Sequence, residues 1–357
     1  MNNYLKFPAP YFGGKSSIAG DVWDALGQPS HYLEPFFGSG AVLLNRPNFD
    51  ANDYTETVND ADGHICNVWR ALQADPDAVA KVCDWPVNHA DLMARKVSLN
   101  AATATLLEDL CRDDKYYHTE LAGYWIWAAS CWIGSGLVCP GQIPHLGDAG
   151  EGVHAKGQIP HLGDAGKGVH AKGKIPHLGT AGNGVHAKGK IPHLGTAGMG
   201  VQEPYTANIY EWFRVLSARL RRVRVVCGDW KRICGGDWQD GNWPSVGYFF
   251  DPPYSAEAGR DNALYAVESA TVAHDVREWS IERGKRTNYR IVIAGYYDEH
   301  ASLLKIGWRV KTWSAQGGYG KTAKAGSNAK GKMNRHKEAL FFSPHCVDQR
   351  NLFEEAE

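Results

Sequence analysis

Asp251-Pro252-Pro253-Tyr254 brings together a carboxylate, a rigid backbone carbonyl and an aromatic face, directly after the apolar run Val246-Gly247-Tyr248-Phe249-Phe250. Neither proline can donate to a sheet ladder and each fixes its own φ, so Asp251 and the Pro252 carbonyl are held at the end of the preceding strand. That combination suits an exocyclic amine on a nucleobase. Two acceptors taking the two amine protons leave the nitrogen lone pair better able to attack, and the ring of Tyr254 can stack on the base. Such stacking contributes about 1–3 kcal/mol per base, which helps offset the cost of extruding a nucleotide from a duplex. As a bare string the same four residues also read as an ordinary strand-ending turn, and the rest of the chain decides between the two.

Three further stretches carry chemistry. Pro10-Tyr11-Phe12-Gly13-Gly14-Lys15 places two aromatics, a glycine pair that lets backbone approach a ligand, and a cation that can meet a carboxylate. His31-Tyr32-Leu33-Glu34-Pro35-Phe36-Phe37-Gly38-Ser39-Gly40 is a strand ending in a glycine turn ahead of the apolar Ala41-Val42-Leu43-Leu44, an arrangement that turns N–H groups toward a ligand. It is not Gly-x-Gly-x-x-Gly, which disfavours a nicotinamide enzyme. Glu56-Thr57-Val58-Asn59-Asp60 ends in an acid placed to accept from both hydroxyls of a ribose, although Asp60 taken singly reads equally as a solvated loop residue. Gly228-Asp229-Trp230 offers another strand-end acid, either an acceptor for an adenine amine or a structural loop residue.

The elements that must position these residues alternate between strand and helix at both ends of the chain. Helical patterns are expected at Ile18 to Leu26, Ile65 to Leu72, Asp91 to Leu110, Thr119 to Ile133, Asn208 to Leu220 and Ala270 to Arg283. Strands are expected at Arg224 to Cys227, Val246 to Phe250, Arg290 to Gly295, Trp308 to Trp313 and Glu338 to Ser343. This order predicts an α/β fold with a mostly parallel, doubly wound sheet, formed by residues 1–72 and 206–357 and interrupted by an insertion at 73–205. Within the second of the two insertion helices, Tyr124, Trp125, Trp127 and Trp132 read as core.

The insertion contains sixteen-residue units at 141–204: GQIPHLGDAGEGVHAK from Gly141 recurs with small changes from Gly157, Gly173 and, in part, Gly189. Their glycines and prolines favour stacked turns or short hairpins over helices. The histidines repeat because the unit repeats, so the expectation is no metal site but an elongated insertion presenting Lys and His to DNA or solvent. The formal net charge of −1 does not by itself point to nucleic acid, yet Lys305 to Lys337 holds nine Lys and Arg residues and no acid, a local footprint for phosphate. The eight cysteines form no Cys-x-x-Cys pair, and no signal peptide or membrane span is evident, which together suggest a reduced, cytoplasmic setting.

In order, Tyr11-Phe12-Gly13-Gly14-Lys15, Glu34 to Gly40, Val58-Asn59-Asp60-Ala61-Asp62, Gly228-Asp229-Trp230 and Asp251 to Tyr254 resemble the DNA adenine N6-methyltransferases of the Dam type, including forms carried by bacteriophages. They are the D12 class, with the alpha order of motifs. The resemblance implies a Rossmann-like, class I S-adenosylmethionine-dependent fold whose seven-stranded sheet ends in an antiparallel strand, here Glu338 to Ser343. It implies a target-recognition region inserted after the second strand. It also implies that Tyr11, Phe12, Gly13 and Lys15 line the cofactor site, with Glu34, Phe36, Gly38, Ser39 and Gly40 around the methionine part and Asp60 on the ribose. Asp229 and Asp251 complete the cofactor set. Asp251, Pro252, Pro253 and Tyr254 would be catalytic, gripping and stacking a flipped adenine, and Lys321, Lys324, Lys330, Lys332 and Arg335 would meet double-stranded DNA. Tyr11-Phe12 departs from the family's usual Trp-Ala.

Two rivals accompany this reading. One keeps the chemistry on another amine, N4 of cytosine or N6 of RNA adenine; cytosine enzymes more often carry Ser at the place of Asp251. The other is a non-catalytic DNA-binding remnant in which the repeats are the working part. A partner restriction nuclease, the recognised DNA site and the oligomeric state are not given by the residues.

Overall fold

The computed structural model describes residues 5–9, 11, 15–50, 53–132, 137–138, 206–236, 243–253, 271–313 and 338–348. Outside them lie the repeats at 141–204, Phe12, Gly13, Tyr254, and the basic residues Lys321, Lys324, Lys330, Lys332 and Arg335. The described residues fall into two compact units, one from those up to 11 and from 62 to 221, the other from 15 to 61 and from 222 to 348.

The second unit is built on one sheet. Its strands are β1 (His31–Glu34), β2 (Thr55–Asp60), β3 (Val223–Cys227), β4 (Val246–Phe250), β5 (Tyr289–Tyr296), β6 (Arg309–Thr312) and β7 (Glu338–Phe342), in the order β3-β2-β1-β4-β5-β7-β6. The five from β3 to β5 run parallel, and β7 runs antiparallel to both β5 and β6. The expected α/β fold with an antiparallel last strand is thus observed. β4 is buried along its whole length, as its near-continuous apolar run requires of a strand covered on both faces, and β1 is buried throughout although it carries His31 and Glu34. Tyr248 and Phe250 stack with centroids 5.8 Å apart and pack with Trp230, Trp279 and Tyr289 into an aromatic core.

The helix Ala19–Leu26 of this unit is tied to the short helix Ala41–Leu44 by Trp23 Nε1, which donates to the Val42 carbonyl at 2.8 Å. Two cations of the basic run belong to β6, and both are already paired. Arg309 meets Asp348 at 2.8 Å and Lys311 meets Asp21 at 2.6 Å.

The first unit is helical, with Gly63–Ala74, Pro76–Cys83, His89–Arg112, Thr119–Cys131 and Thr206–Leu220. Capping explains the helix starts. Asp62 accepts from the N–H groups of His64 and Ile65, Asp75 from Ala78, and Asn88 from Asp91. Pro76 follows the Asp75 cap at the first helical position, a start signal that the apolar pattern alone does not reveal. Arg70 closes the far end of the long helix, donating to the carbonyls of Leu110, Asp113 and Tyr116. Trp125, Trp127 and Trp132 are buried, as expected of core residues, but Tyr124 is half-exposed, its hydroxyl donating to Glu120 at 2.7 Å. Among the described residues no helix is long and apolar enough to cross a membrane, and no group of three His, Cys, Asp or Glu residues is arranged to hold a metal ion.

Candidate active site

In the sheet, β1 has β2 on one side and β4 on the other, while the chain runs β1, β2, β3 and then crosses to β4. The winding therefore reverses between β1 and β4, and in open α/β sheets ligands bind outside the carboxyl ends of the strands at that place. Four neighbouring strands each put an acid there. Glu34 ends β1, Asp60 ends β2, Asp229 follows β3 and Asp251 follows β4.

The turn after β1 needs its glycines. Gly38 and Gly40 have φ of 45° and 60°, in the left-handed region. The Gly38 N–H donates to Asp60 Oδ2 at 2.8 Å and the Phe37 N–H to the Asn59 carbonyl at 2.9 Å, so the end of β2 holds the turn. Asn59, which sequence reasoning left without a role, links three strand ends: its Nδ2 donates to the Pro35 carbonyl at 3.1 Å and the Gly228 carbonyl at 2.9 Å. An asparagine inside a strand is itself a signal, because a buried amide there must find partners off the ladder. Phe36 joins the aromatic core, its ring 6.3 Å from Trp230 and 6.4 Å from Phe250. Ser39 is half-buried within the turn.

Asp251 is ion-paired: Lys15 Nζ lies 2.9 Å from its Oδ2, with side-chain exposures of 9% for Lys15 and 21% for Asp251. Pro252 is buried and Pro253 half-buried behind it. Glu34 is 2% exposed and accepts from the Tyr32 hydroxyl at 2.9 Å. Burial pushes the Glu34 carboxyl well above the usual carboxylate range, and the Asp251 charge adds to this, against the opposite pull of the Tyr32 and Leu43 donors. The neighbouring acids thus differ, Glu34 buried with its pKa raised and Asp251 paired with a cation.

Asp229 Oδ1 accepts from the Lys231 N–H at 2.8 Å, just ahead of the short helix Lys231–Cys234. Tyr11 belongs to the helical unit, where it meets Phe7 edge-on at 5.7 Å. Of the residues marked from the sequence, Lys15, Glu34, Phe36, Gly38, Ser39, Gly40, Asp60, Asp229, Asp251, Pro252 and Pro253 all fall within the sheet unit. The arrangement offers a glycine turn with an acid beside it, and a charged carboxylate on the neighbouring strand. An adenosine-containing ligand and a substrate amine suit such a set.

Residues 11–108 match the family model described as D12 class N6 adenine-specific DNA methyltransferase, the family that the motifs resemble. The match takes in β1, its glycine turn, β2 and the helices that follow, and ends well before Asp251. No curated protein matches the chain significantly.

Proposed function

With a D12 class domain matched at its start, we propose that the chain transfers a methyl group from S-adenosylmethionine to the N6 amine of an adenine flipped out of duplex DNA. The observation that carries this reading is the place of Asp251. It leaves β4 at the reversal of strand order, next to the strand whose Glu-Pro-Phe-Phe-Gly-Ser-Gly turn lies inside the matched region.

In this reading Gly38, Ser39 and Gly40 border the amino-acid part of the methyl donor, Asp60 accepts from the ribose hydroxyls, and Asp229 faces the adenine end. The donor supplies a methyl already activated on a sulfonium. Asp251 and the Pro252 carbonyl accept the two amine protons of the target, which aims the nitrogen lone pair. A carbon–nitrogen bond forms as the carbon–sulfur bond breaks, the donor leaves as a neutral thioether, and the surplus amine proton passes to water. The protein's contribution is orientation and preset electrostatics, with no covalent enzyme intermediate. The insertion at 73–205 is assigned to target recognition, and Lys321, Lys324, Lys330, Lys332 and Arg335 to phosphate contacts.

The test is nucleoside mass spectrometry of unmethylated plasmid DNA incubated with the protein and S-adenosylmethionine. Wild type should leave N6-methyladenine, and Asp251→Ala none. Because that change removes the Asp251 carboxylate from a well-covered Lys15, Asp251→Asn serves as companion, its amide oxygen still meeting Lys15. Turnover at the wild-type rate in both variants, or N4-methylcytosine as the product, refutes the assignment.

A further inference from the structure

Pro252 and Pro253 fix the backbone beyond Asp251 but not the torsion that turns its carboxylate, since a terminal sp³–sp² torsion is broad and roughly two-fold. An unheld carboxylate at a strand end samples many orientations, and one that must accept a particular amine proton needs a second anchor. The structure supplies it in Lys15, whose Nζ stands 2.9 Å from Asp251 Oδ2.

Resting on the reading above, we infer that Lys15 is a positioning residue for Asp251: its ammonium fixes one carboxylate oxygen so that the other faces the target amine. Its part in the reaction is played on Asp251, not on the methyl donor.

Three observations carry this. The cation is the more covered member of the pair, 9% exposed against 21%, so the carboxylate keeps surface on which an amine can land. Lys15 has a firm seat: its carbonyl accepts from the Ile18 N–H at 3.1 Å at the entry to the helix Ala19–Leu26, which packs on β4 and β5. The second carboxylate of the reversal point, Glu34, is bonded to the Tyr32 hydroxyl, so the pairing observed for Lys15 is with the acid that leaves β4.

The test compares Lys15→Met and Lys15→Arg with wild type, measuring the S-adenosylmethionine Kd by calorimetry, and kcat on unmethylated plasmid DNA at saturating donor and DNA. A positioning role predicts a donor Kd within about threefold of wild type, a span that a weak ion pair's worth covers. It predicts kcat down by about tenfold or more in Lys15→Met, the scale of a misplaced reacting group. Lys15→Arg should recover part of kcat, because a guanidinium can still hold one carboxylate oxygen. Unaltered donor binding also shows that the variant is folded. Donor binding lost with kcat unchanged at saturation, or both lost alike in the two variants, overturns the inference. Asp251→Ala in the same assay separates the levels. If it keeps wild-type turnover, the proposed function fails; if it is silent while Lys15→Met turns over normally, only the role of Lys15 fails.

Discussion

The Gly38 N–H points at Asp60 Oδ2 across 2.8 Å, so the acid that ends β2 is part of the scaffold of the glycine turn after β1. One carboxylate oxygen thus has a structural task, whatever the residue does for a ligand. Asp60→Asn keeps an acceptor for Gly38 and should unfold within about 1 kcal/mol of wild type. If Asp60 also takes the ribose, S-adenosylmethionine affinity should drop about tenfold with loss of the charge-assisted bonds. Denaturant titration and calorimetry read the two effects separately, and unchanged donor affinity would leave Asp60 as a turn residue only.

Asn59, 1% exposed, donates to two carbonyls from different loops. Asn59→Ala leaves both without this donor and should cost about 1–3 kcal/mol in chemical denaturation. Asn59→Asp should cost more, because it turns a buried carboxylate toward the Pro35 and Gly228 carbonyls. Wild-type stability in Asn59→Ala would show that the bridge contributes little.

Glu34 carries a pH dependence whose sign is set by its burial. Its carboxyl pKa is raised on folding, so between the unfolded and folded values the folded state holds the extra proton. Stability from this group is present at low pH and declines as pH rises. Glu34→Gln keeps an acceptor for the Tyr32 hydroxyl and never ionises. Its melting temperature should therefore gain on wild type as pH is raised from about 5 to 8. A gap that stays constant across that range would mean that Glu34 is charged in the folded protein.

A Cβ on Gly295 in β5 would come 2.5 Å from Cδ2 and Nε2 of His300, a fully buried ring that lies edge-on to Phe341. Gly295→Ala should destabilise by about 1–3 kcal/mol, the usual scale of overpacking. His300→Ala in the same chain should recover much of that loss, which a denaturation midpoint measures. The same burial lowers the His300 pKa to about 4, so the unfolded chain binds the extra proton. Stability should fall as pH drops from about 6.5 toward 4, and His300→Ala should flatten that slope.

Much of the sheet could be read from local pattern. The runs at 246–250 and 290–295 are apolar enough to demand burial on both faces, and the observed strands are β4 at Val246–Phe250 and β5 at Tyr289–Tyr296. The helix Pro76–Cys83 escaped a reading based on apolar spacing, although its Asp75-Pro76 start was in plain view. Asn59 escaped for a different reason: its partners, Pro35 and Gly228, lie far away in sequence, and no window along the chain brings all three together.

The sequence alone determined which groups are available: a glycine turn that only left-handed backbone can make, an acid at four strand ends, and two prolines that stiffen the corner after Phe250. Those properties belong to single residues and their immediate neighbours, so they survive without the fold. Only the tertiary structure decided which acid takes the lysine and which has its pKa raised by burial. Charge state depends on burial and on partners brought from distant segments, and the segments around Lys15, Glu34 and Asp251 become neighbours only when β1 and β4 pair in register.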